Sequence, residues 1–303
     1  MNLLVTGAWN CTEEQLNRIR EIGHNLIFLQ QEKDELPCDE KEVEGVICNG
    51  LFLYHNIEEF TALKFIQLTS AGYDRVPMEY VQSHRIEIHN ARGVYSVPMA
   101  EFAVSGVLQL YKKSKIFYEN QKAHKWEKIR DLIELCGKTV LIVGCGSVGT
   151  ECAKRFRAFD CLVLGVDLMP YKSEYFAEMT DLNCLDKKLS QADVVILTLP
   201  LTKETQGLFN ASLFEKMKSG SVLVNIARGA VVDEKALISA LDNKLFGAVL
   251  DVFEEEPLSS RSRLWDKENI ILTPHNSFIG ERNDKRLFDL IKANLKKLTI
   301  NNL

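Results

Sequence analysis

Long apolar runs are missing from this chain. No stretch approaches the about 18 uninterrupted apolar residues of a membrane helix, and Met1–Asn10 has no basic start leading into such a run. Neither a spanning segment nor a secretion leader is expected, and a cytoplasmic location follows by default. A surplus of positive charge is missing too. The 37 Lys and Arg are outnumbered by 42 Asp and Glu, for a formal net charge of −5. Basic residues come only in pairs such as Lys187-Lys188 and Lys296-Lys297, so no field gathers polyanions and nucleic acid is not an expected partner. The eight cysteines (Cys11, Cys38, Cys48, Cys136, Cys145, Cys152, Cys161, Cys184) contain no Cys-x-x-Cys pair. That argues against a zinc site and a disulfide framework, so no metal is expected. Cys145 lies inside a glycine loop, but without an activating base in the pattern it reads as loop filler.

What is present describes a globular α/β protein. With 46% hydrophobic and 26% charged residues over 303 positions, the chain can bury two cores of about 150 residues each. Short apolar runs alternate with helical patterns in the first hundred residues, with strand candidates at Leu3–Val5, Leu26–Leu29, Val46–Cys48, Phe65–Leu68 and Ile86–Ile88. The spacing of Phe102, Val107, Leu110, Ile116 and Phe117 then predicts one long helix from Met99 to about Gln121, with Pro98 near its first turn. A second α/β series follows, with strands expected at Thr139–Val143, Leu162–Val166, Val194–Thr198, Val222–Asn225, Ala248–Asp251 and Ile270–Thr273. Runs this continuously apolar suit a parallel sheet covered on both faces. Glu281–Leu298 reads as an amphipathic helix able to pack back on the first lobe.

The strand Thr139–Val143 runs into Gly144-Cys-Gly146-Ser-Val-Gly149 and then a helical pattern, Thr150 to Phe159. Glycine spacing alone is a weak signal. Between a strand and a helix it allows a tight turn, close backbone approach to a pyrophosphate and close helix packing. The next strand ends at Asp167, where a carboxylate can accept hydrogen bonds from ribose hydroxyls and repels a 2′-phosphate. NAD is therefore expected in preference to NADP, with NADH as the reduced form. Later strand ends are polar. Val222–Asn225 leads to Ile226-Ala-Arg228-Gly229, the next to Asp251-Val-Phe-Glu-Glu-Glu256-Pro257, and the last to Thr273-Pro-His275. An Arg can make a two-point contact with a carboxylate and its adjacent carbonyl, and a His can supply the proton when hydride reaches a ketone carbon. Taken singly, Arg228 would equally suit a salt link and His275 a satisfied core site.

These residues together resemble the D-isomer-specific 2-hydroxyacid dehydrogenase family, which includes phosphoglycerate dehydrogenases, glyoxylate and hydroxypyruvate reductases and D-lactate dehydrogenases. The likeness spans nearly the whole chain and extends to Leu199-Pro200-Leu-Thr-Lys-Glu-Thr205-Gln-Gly207 and Thr69-Ser70-Ala71-Gly72-Tyr-Asp74. It implies two doubly wound parallel-sheet domains, a Rossmann NAD-binding domain (98–278) inserted into a flavodoxin-like substrate domain (1–97 with 279–303), whose cleft closes over substrate and excludes water. It implies that His275 is the general acid/base, Glu256 its partner, and Arg228 the group that binds and polarises a small 2-keto or 2-hydroxy acid. The substrate carboxylate would meet the backbone of Ser70, Ala71 and Gly72. The cofactor would be held by Gly144, Gly146, Ser147, Val148, Gly149, Asp167, Leu199, Pro200, Thr205, Ile226 and Ala227, with Asp251 on the nicotinamide carboxamide. Tyr118–Trp126 resembles the family's dimerisation region, so a homodimer is expected. One departure stands out: Asn276-Ser277-Phe278 replaces a small, Gly-containing continuation after the His and places a ring beside it. Another is that the chain ends at Leu303, so the amino-acid-binding regulatory domain of some relatives is not expected. The rival reading is a catalytically silent NAD(H)-sensing protein, similar to the corepressors of the same family. Formate dehydrogenation is a weaker rival, since it has no hydroxyl proton for a His–Glu pair to manage.

Overall fold

The apolar stretches become strands of two all-parallel sheets in the computed structural model, which describes residues 1–301. Contacts divide the chain into one unit of Met1–Tyr95 with the segment from Gly280 onward, and a second unit of Ser96–Ile279.

The first unit contains β1 (Asn2–Thr6), β2 (Asn25–Leu29), β3 (Gly45–Cys48), β4 (Phe65–Leu68) and β5 (Glu87–His89), with helices α1 (Glu13–Arg20) and α2 (Met78–Ser83). Its sheet order is β2-β1-β3-β4-β5, the flavodoxin-like arrangement. Strand residues alternate between two cores: Leu3, Val5 and Phe65 face α1, whereas Leu4, Ile66 and Leu68 face Val81 of α2. Thr12 starts α1 with a capping box, its hydroxyl accepting from the Gln15 N–H while the Gln15 side chain accepts from the Thr12 N–H.

The second unit begins with α3 (Ser96–Tyr111) and α4 (Ser114–Lys122). It continues through β6 (Thr139–Val143), α5 (Ser147–Ala158), β7 (Leu162–Val166), β8 (Glu178–Thr180), α6 (Leu185–Leu189) and β9 (Val194–Leu197). The remaining elements are α7 (Ala211–Lys216), β10 (Val222–Asn225), α8 (Glu234–Asn243), β11 (Gly247–Leu250) and β12 (Ile270–Leu272). The order β12-β11-β10-β9-β6-β7-β8 is the Rossmann order extended by one strand. Val140 and Ile142 of β6 pack under α3 and α5, and Leu141 and Val143 under α6, α7 and α8, so helices cover both faces. Finally α9 (Asn283–Asn301) returns to the first unit. It buries Leu287, Phe288, Ile291 and Leu295 against Trp9 and β1, each worth about 1.5–3 kcal/mol of removed apolar surface.

One expectation needs correction, and one strand was not read from the sequence. The single helix from Met99 to Gln121 is two helices, because Lys113 adopts a left-handed backbone (φ +51°) and ends the first register. Apolar periodicity continues across that residue, which hid the break. The edge strand β8 carried no apolar run to announce it, since Glu178, Met179 and Thr180 are only partly covered.

Candidate active site

In the second unit the chain leaves β6 toward β7 on one side and later resumes at β9 on the other, so the loops after β6 and β9 diverge. That is where open parallel sheets bind nucleotides. Gly144 takes φ +97°, and a Cβ there would lie 2.9 Å from the Leu199 nitrogen. Thr198 also donates its hydroxyl to the Gly144 carbonyl, so the β9 loop through Leu199 and Pro200 is bound to the glycine turn. Gly149 lets α5 sit against that turn, since a Cβ would be 2.2 Å from the Gly144 carbonyl oxygen. Gly146, between them, has nothing within 4 Å of its would-be Cβ. It leaves a space at the first turn of α5, beside Ser147 and Val148, where the positive end of the helix attracts an anion. The loop thus fits a dinucleotide pyrophosphate. Asp167 closes it, accepting from the Cys145 N–H at 2.6 Å and from the Met169 N–H at 3.0 Å. Tyr171 adds a bond unforeseen from sequence, from its hydroxyl to the Cys145 carbonyl at 2.7 Å. The Cys145 thiol is buried, and burial, with Asp167 beside it, pushes its pKa up to about 12, so it is inert as a nucleophile.

Thr205 is buried, accepting from the Thr202 N–H at 2.8 Å and donating to the Pro200 carbonyl at 2.7 Å, so its hydroxyl shapes the loop after β9. Asn225, not singled out from sequence, ends β10 and braces the turn that carries Ile226, Ala227 and Arg228. Its amide donates to the Arg228 carbonyl at 3.1 Å and accepts from the Ala227 N–H at 3.1 Å. Arg228 is half-buried, with one guanidinium N–H on the Ala227 carbonyl at 2.8 Å. Gly229 packs directly on the β11 loop, where a Cβ would come within 1.9 Å of the Phe253 carbonyl. No side chain other than hydrogen fits there.

Glu256 and His275 are brought into direct contact. The His275 Nδ1 lies 2.8 Å from Glu256 Oε2, and Glu256 Oε1 accepts from the Phe253 N–H at 3.1 Å. Both carboxylate oxygens are thus oriented, and the imidazole presents Nε2 outward. His275 sits at φ +50°, a conformation costing a non-glycine residue about 1–2 kcal/mol. Asp251 supplies the restraint: fully buried, it accepts from the Thr273 hydroxyl (2.7 Å), the Asn276 N–H (2.7 Å) and the Ser277 N–H (2.9 Å), while its carbonyl takes the His275 N–H (2.8 Å). Asp251 therefore holds the turn that aims His275. The ring of Phe278 stands edge-on to the imidazole, centroids 5.9 Å apart. Among the described residues no group of three or more His, Cys, Asp or Glu is placed to hold a metal ion.

In the first unit, the loop after β4 has its carbonyls consumed. Tyr95 donates its hydroxyl to Thr69, the Ala91 N–H donates to Ser70, the Asn90 amide to Ala71 at 2.6 Å, and the Ser70 hydroxyl to Gly72 at 3.2 Å. Among the described residues, no partner takes the N–H of Ala71 or Gly72. A loop with spent acceptors and spare donors suits a carboxylate. Tyr95 and Asn90 were not legible as its braces.

Comparison with known proteins agrees with this architecture. Residues 104–277 match the D-isomer specific 2-hydroxyacid dehydrogenase NAD binding domain. The chain is 38% identical over 87% of its length to a D-3-phosphoglycerate dehydrogenase of Archaeoglobus fulgidus, covering 51% of that protein. It is 31% identical to a hydroxypyruvate reductase of Thermotoga maritima, covering 89% of each chain. A D-isomer specific 2-hydroxyacid dehydrogenase from Xanthobacter autotrophicus, solved in complex with NADPH and MES, superimposes with a TM-score of 0.82 at 26% identity, covering 99% of this chain and 95% of that one. The chain belongs to the D-isomer-specific 2-hydroxyacid dehydrogenase family. It spans about half the length of the plant and archaeal phosphoglycerate dehydrogenases it matches.

Proposed function

We propose that the protein is an NAD-dependent D-2-hydroxyacid dehydrogenase acting as a 2-keto acid reductase. The observation that carries this reading is the Glu256–His275 pair, held at 2.8 Å on a strained turn at the carboxyl edge of a Rossmann sheet. The loop from Gly144 to Gly149, with Asp167, would hold a nicotinamide cofactor, which would supply the hydride that reduces C2. His275 donates a proton from Nε2 to the oxygen that becomes the hydroxyl, and takes it back in the reverse direction. Glu256 holds the ring through Nδ1 and balances the imidazolium charge. Arg228 of the second unit is assigned to binding the substrate carboxylate and polarising its carbonyl, and the Ala71 and Gly72 N–H groups of the first unit are assigned to carboxylate recognition.

Asp167 favours NADH over NADPH, because its carboxylate would face a 2′-phosphate. Asp251, which holds the His275 turn, is assigned also to the nicotinamide carboxamide on the strength of the family resemblance. The active form is a homodimer built on α4 and its continuation, where Ile116, Tyr118 and Trp126 are exposed, Trp126 at 98%. Sedimentation velocity of the wild type against Trp126→Glu tests that assembly.

The decisive experiment follows NADH and NADPH oxidation with a panel of 2-keto acids, comparing wild type, His275→Ala and Arg228→Ala. Turnover in the wild type, lost by at least about 100-fold in both variants, is expected. Binding of NADH without turnover on any acid would replace this reading with a nucleotide-sensing protein.

A further inference from the structure

Within the second unit, β10 and β11 end on a shared rung, where the Asp251 N–H donates to the Asn225 carbonyl at 3.0 Å. Two loops part there. One carries Arg228 and leads into α8, and the other carries Glu256. They are joined again by Glu234 and Glu254. The Glu234 N–H donates to Glu254 Oε1 at 3.0 Å, and the Glu254 N–H donates to Glu234 Oε1 at 2.9 Å. Each residue spends its carboxylate on the backbone of the other. Between this tie and the strand ends, Gly229 packs on the Phe253 carbonyl. The opposite side of the Arg228 loop is fixed as well, because the Gly207 and Phe209 N–H groups donate to the Ala230 and Val231 carbonyls at 2.8 and 3.0 Å.

Stability does not account for a glutamate at this position. Glu234 is half-buried, and burial, opposed by the Glu254 N–H and helped by the charges of Glu254 and Glu255, holds its carboxyl above the ordinary carboxylate range. An acid shifted upward in this way weakens the fold at neutral pH, where it is charged. Glutamine would offer the same oxygen to the same N–H without that cost. What the tie accomplishes is geometric. Arg228 immediately precedes Gly229, and Glu256 lies two residues past Glu254 and orients His275 through their 2.8 Å contact. Joining Glu234 to Glu254 therefore fixes where the Arg228 turn stands relative to the Glu256–His275 pair.

We propose that Glu234 and Glu254 are positioning residues, whose reciprocal bonds set the spacing between the Arg228 turn and the Glu256–His275 pair during reduction. This rests on the 2-keto acid reading above, in which one small acid meets a guanidinium at its carboxylate and an imidazole at its carbonyl oxygen. Reacting groups must be held to a fraction of an ångström, and a misplacement of about 1 Å costs on the order of 100-fold in rate. With the tie cut, the packing at Gly229 and the bonds from Gly207 and Phe209 remain, so the loops stay in place but with more freedom. The fold survives, and the alignment of the two turns suffers.

The test uses the 2-keto acid that the wild type reduces fastest in the panel above, and compares wild type, Glu234→Ala, Glu234→Gln and Glu254→Ala. Steady-state kinetics, the NADH dissociation constant by fluorescence and Tm are measured on each. Glu234→Ala should lower kcat about tenfold, with KM within about threefold and NADH affinity within about twofold of wild type. Its Tm should be no lower than wild type, because a charge that weakens the fold is removed. Glu234→Gln keeps an oxygen for the Glu254 N–H and should recover kcat to within about twofold of wild type. Glu254→Ala cuts the same tie from an exposed side chain and replaces Glu234→Ala if that variant does not fold. The double alanine variant should be no slower than the slower single one, since both break one device. An unchanged kcat in the alanine variants, a Glu234→Gln as slow as Glu234→Ala, or a loss that follows Tm or NADH affinity would overturn the proposal while leaving the reductase reading intact. Absence of turnover across the whole panel would overturn both.

Discussion

At the scale of single residues, function depends on groups fixed by neighbours that do no chemistry. Glu256 is oriented by a backbone N–H before it meets His275, and His275 is held in a left-handed conformation by Asp251. Glu256→Gln keeps the size and the Phe253 contact but removes the charge opposite the imidazole. Its kcat should fall on the order of 10- to 100-fold with little change in thermal stability; an unaltered kcat would remove Glu256 from the mechanism. Away from the site, His24 is buried and neither ring nitrogen has a hydrogen-bond partner. Burial, helped by the Met1 amino group and opposed by Glu44, holds its pKa below the ordinary value. The folded state then binds fewer protons than the unfolded chain. Stability is complete above the unfolded value near about 6.5 and is lost as pH falls below it. Replacing His24 by Phe should flatten the fall in Tm between about pH 7 and 5; curves that stay parallel to wild type would show that this residue does not drive the acid loss.

At the scale of elements, covering both sheet faces demands close approach. Gly106, in the middle of α3, is a poor helix former, and its place is explained by β11: a Cβ there would lie 2.6 Å from a methyl of Val249. Gly106→Ala should therefore destabilise the protein by about 1–3 kcal/mol despite the better helix propensity. Val249→Ala clears the space, so the double variant should cost less than the sum of the two single changes in denaturant unfolding; strict additivity would mean that the two residues are not coupled. The strands were readable from sequence because a buried parallel strand is a local run of apolar side chains. The break between α3 and α4 was not, because Lys113 bears no glycine or proline signal and apolar spacing persists on either side.

At the scale of the molecule, the first unit is closed by a segment from the far end of the chain. Asn294 donates its amide to the buried Gln67 at 2.8 Å, Arg286 bonds the Val94 carbonyl at 2.7 Å, and Phe288 stacks on Trp9. A chain stopped before Gly280 would leave the apolar face around Leu3, Val5, Trp9 and Ile19 uncovered. It should lose the cooperative unfolding of the first unit while the second keeps its own transition, as scanning calorimetry with near-ultraviolet circular dichroism would show; two retained transitions would mean that α9 is dispensable. The glycine turn, the acid after β7 and the polar strand ends were legible because each is a contiguous segment whose chemistry follows from its immediate neighbours. The bracing by Asn225, the space enforced by Gly229, the hold of Asp251 on the His275 turn and the reciprocal bonds of Glu234 and Glu254 were not. Each joins residues far apart in the chain, and which of them meet depends on strand order and register, quantities that arise when distant segments pack and that no local pattern of residues encodes.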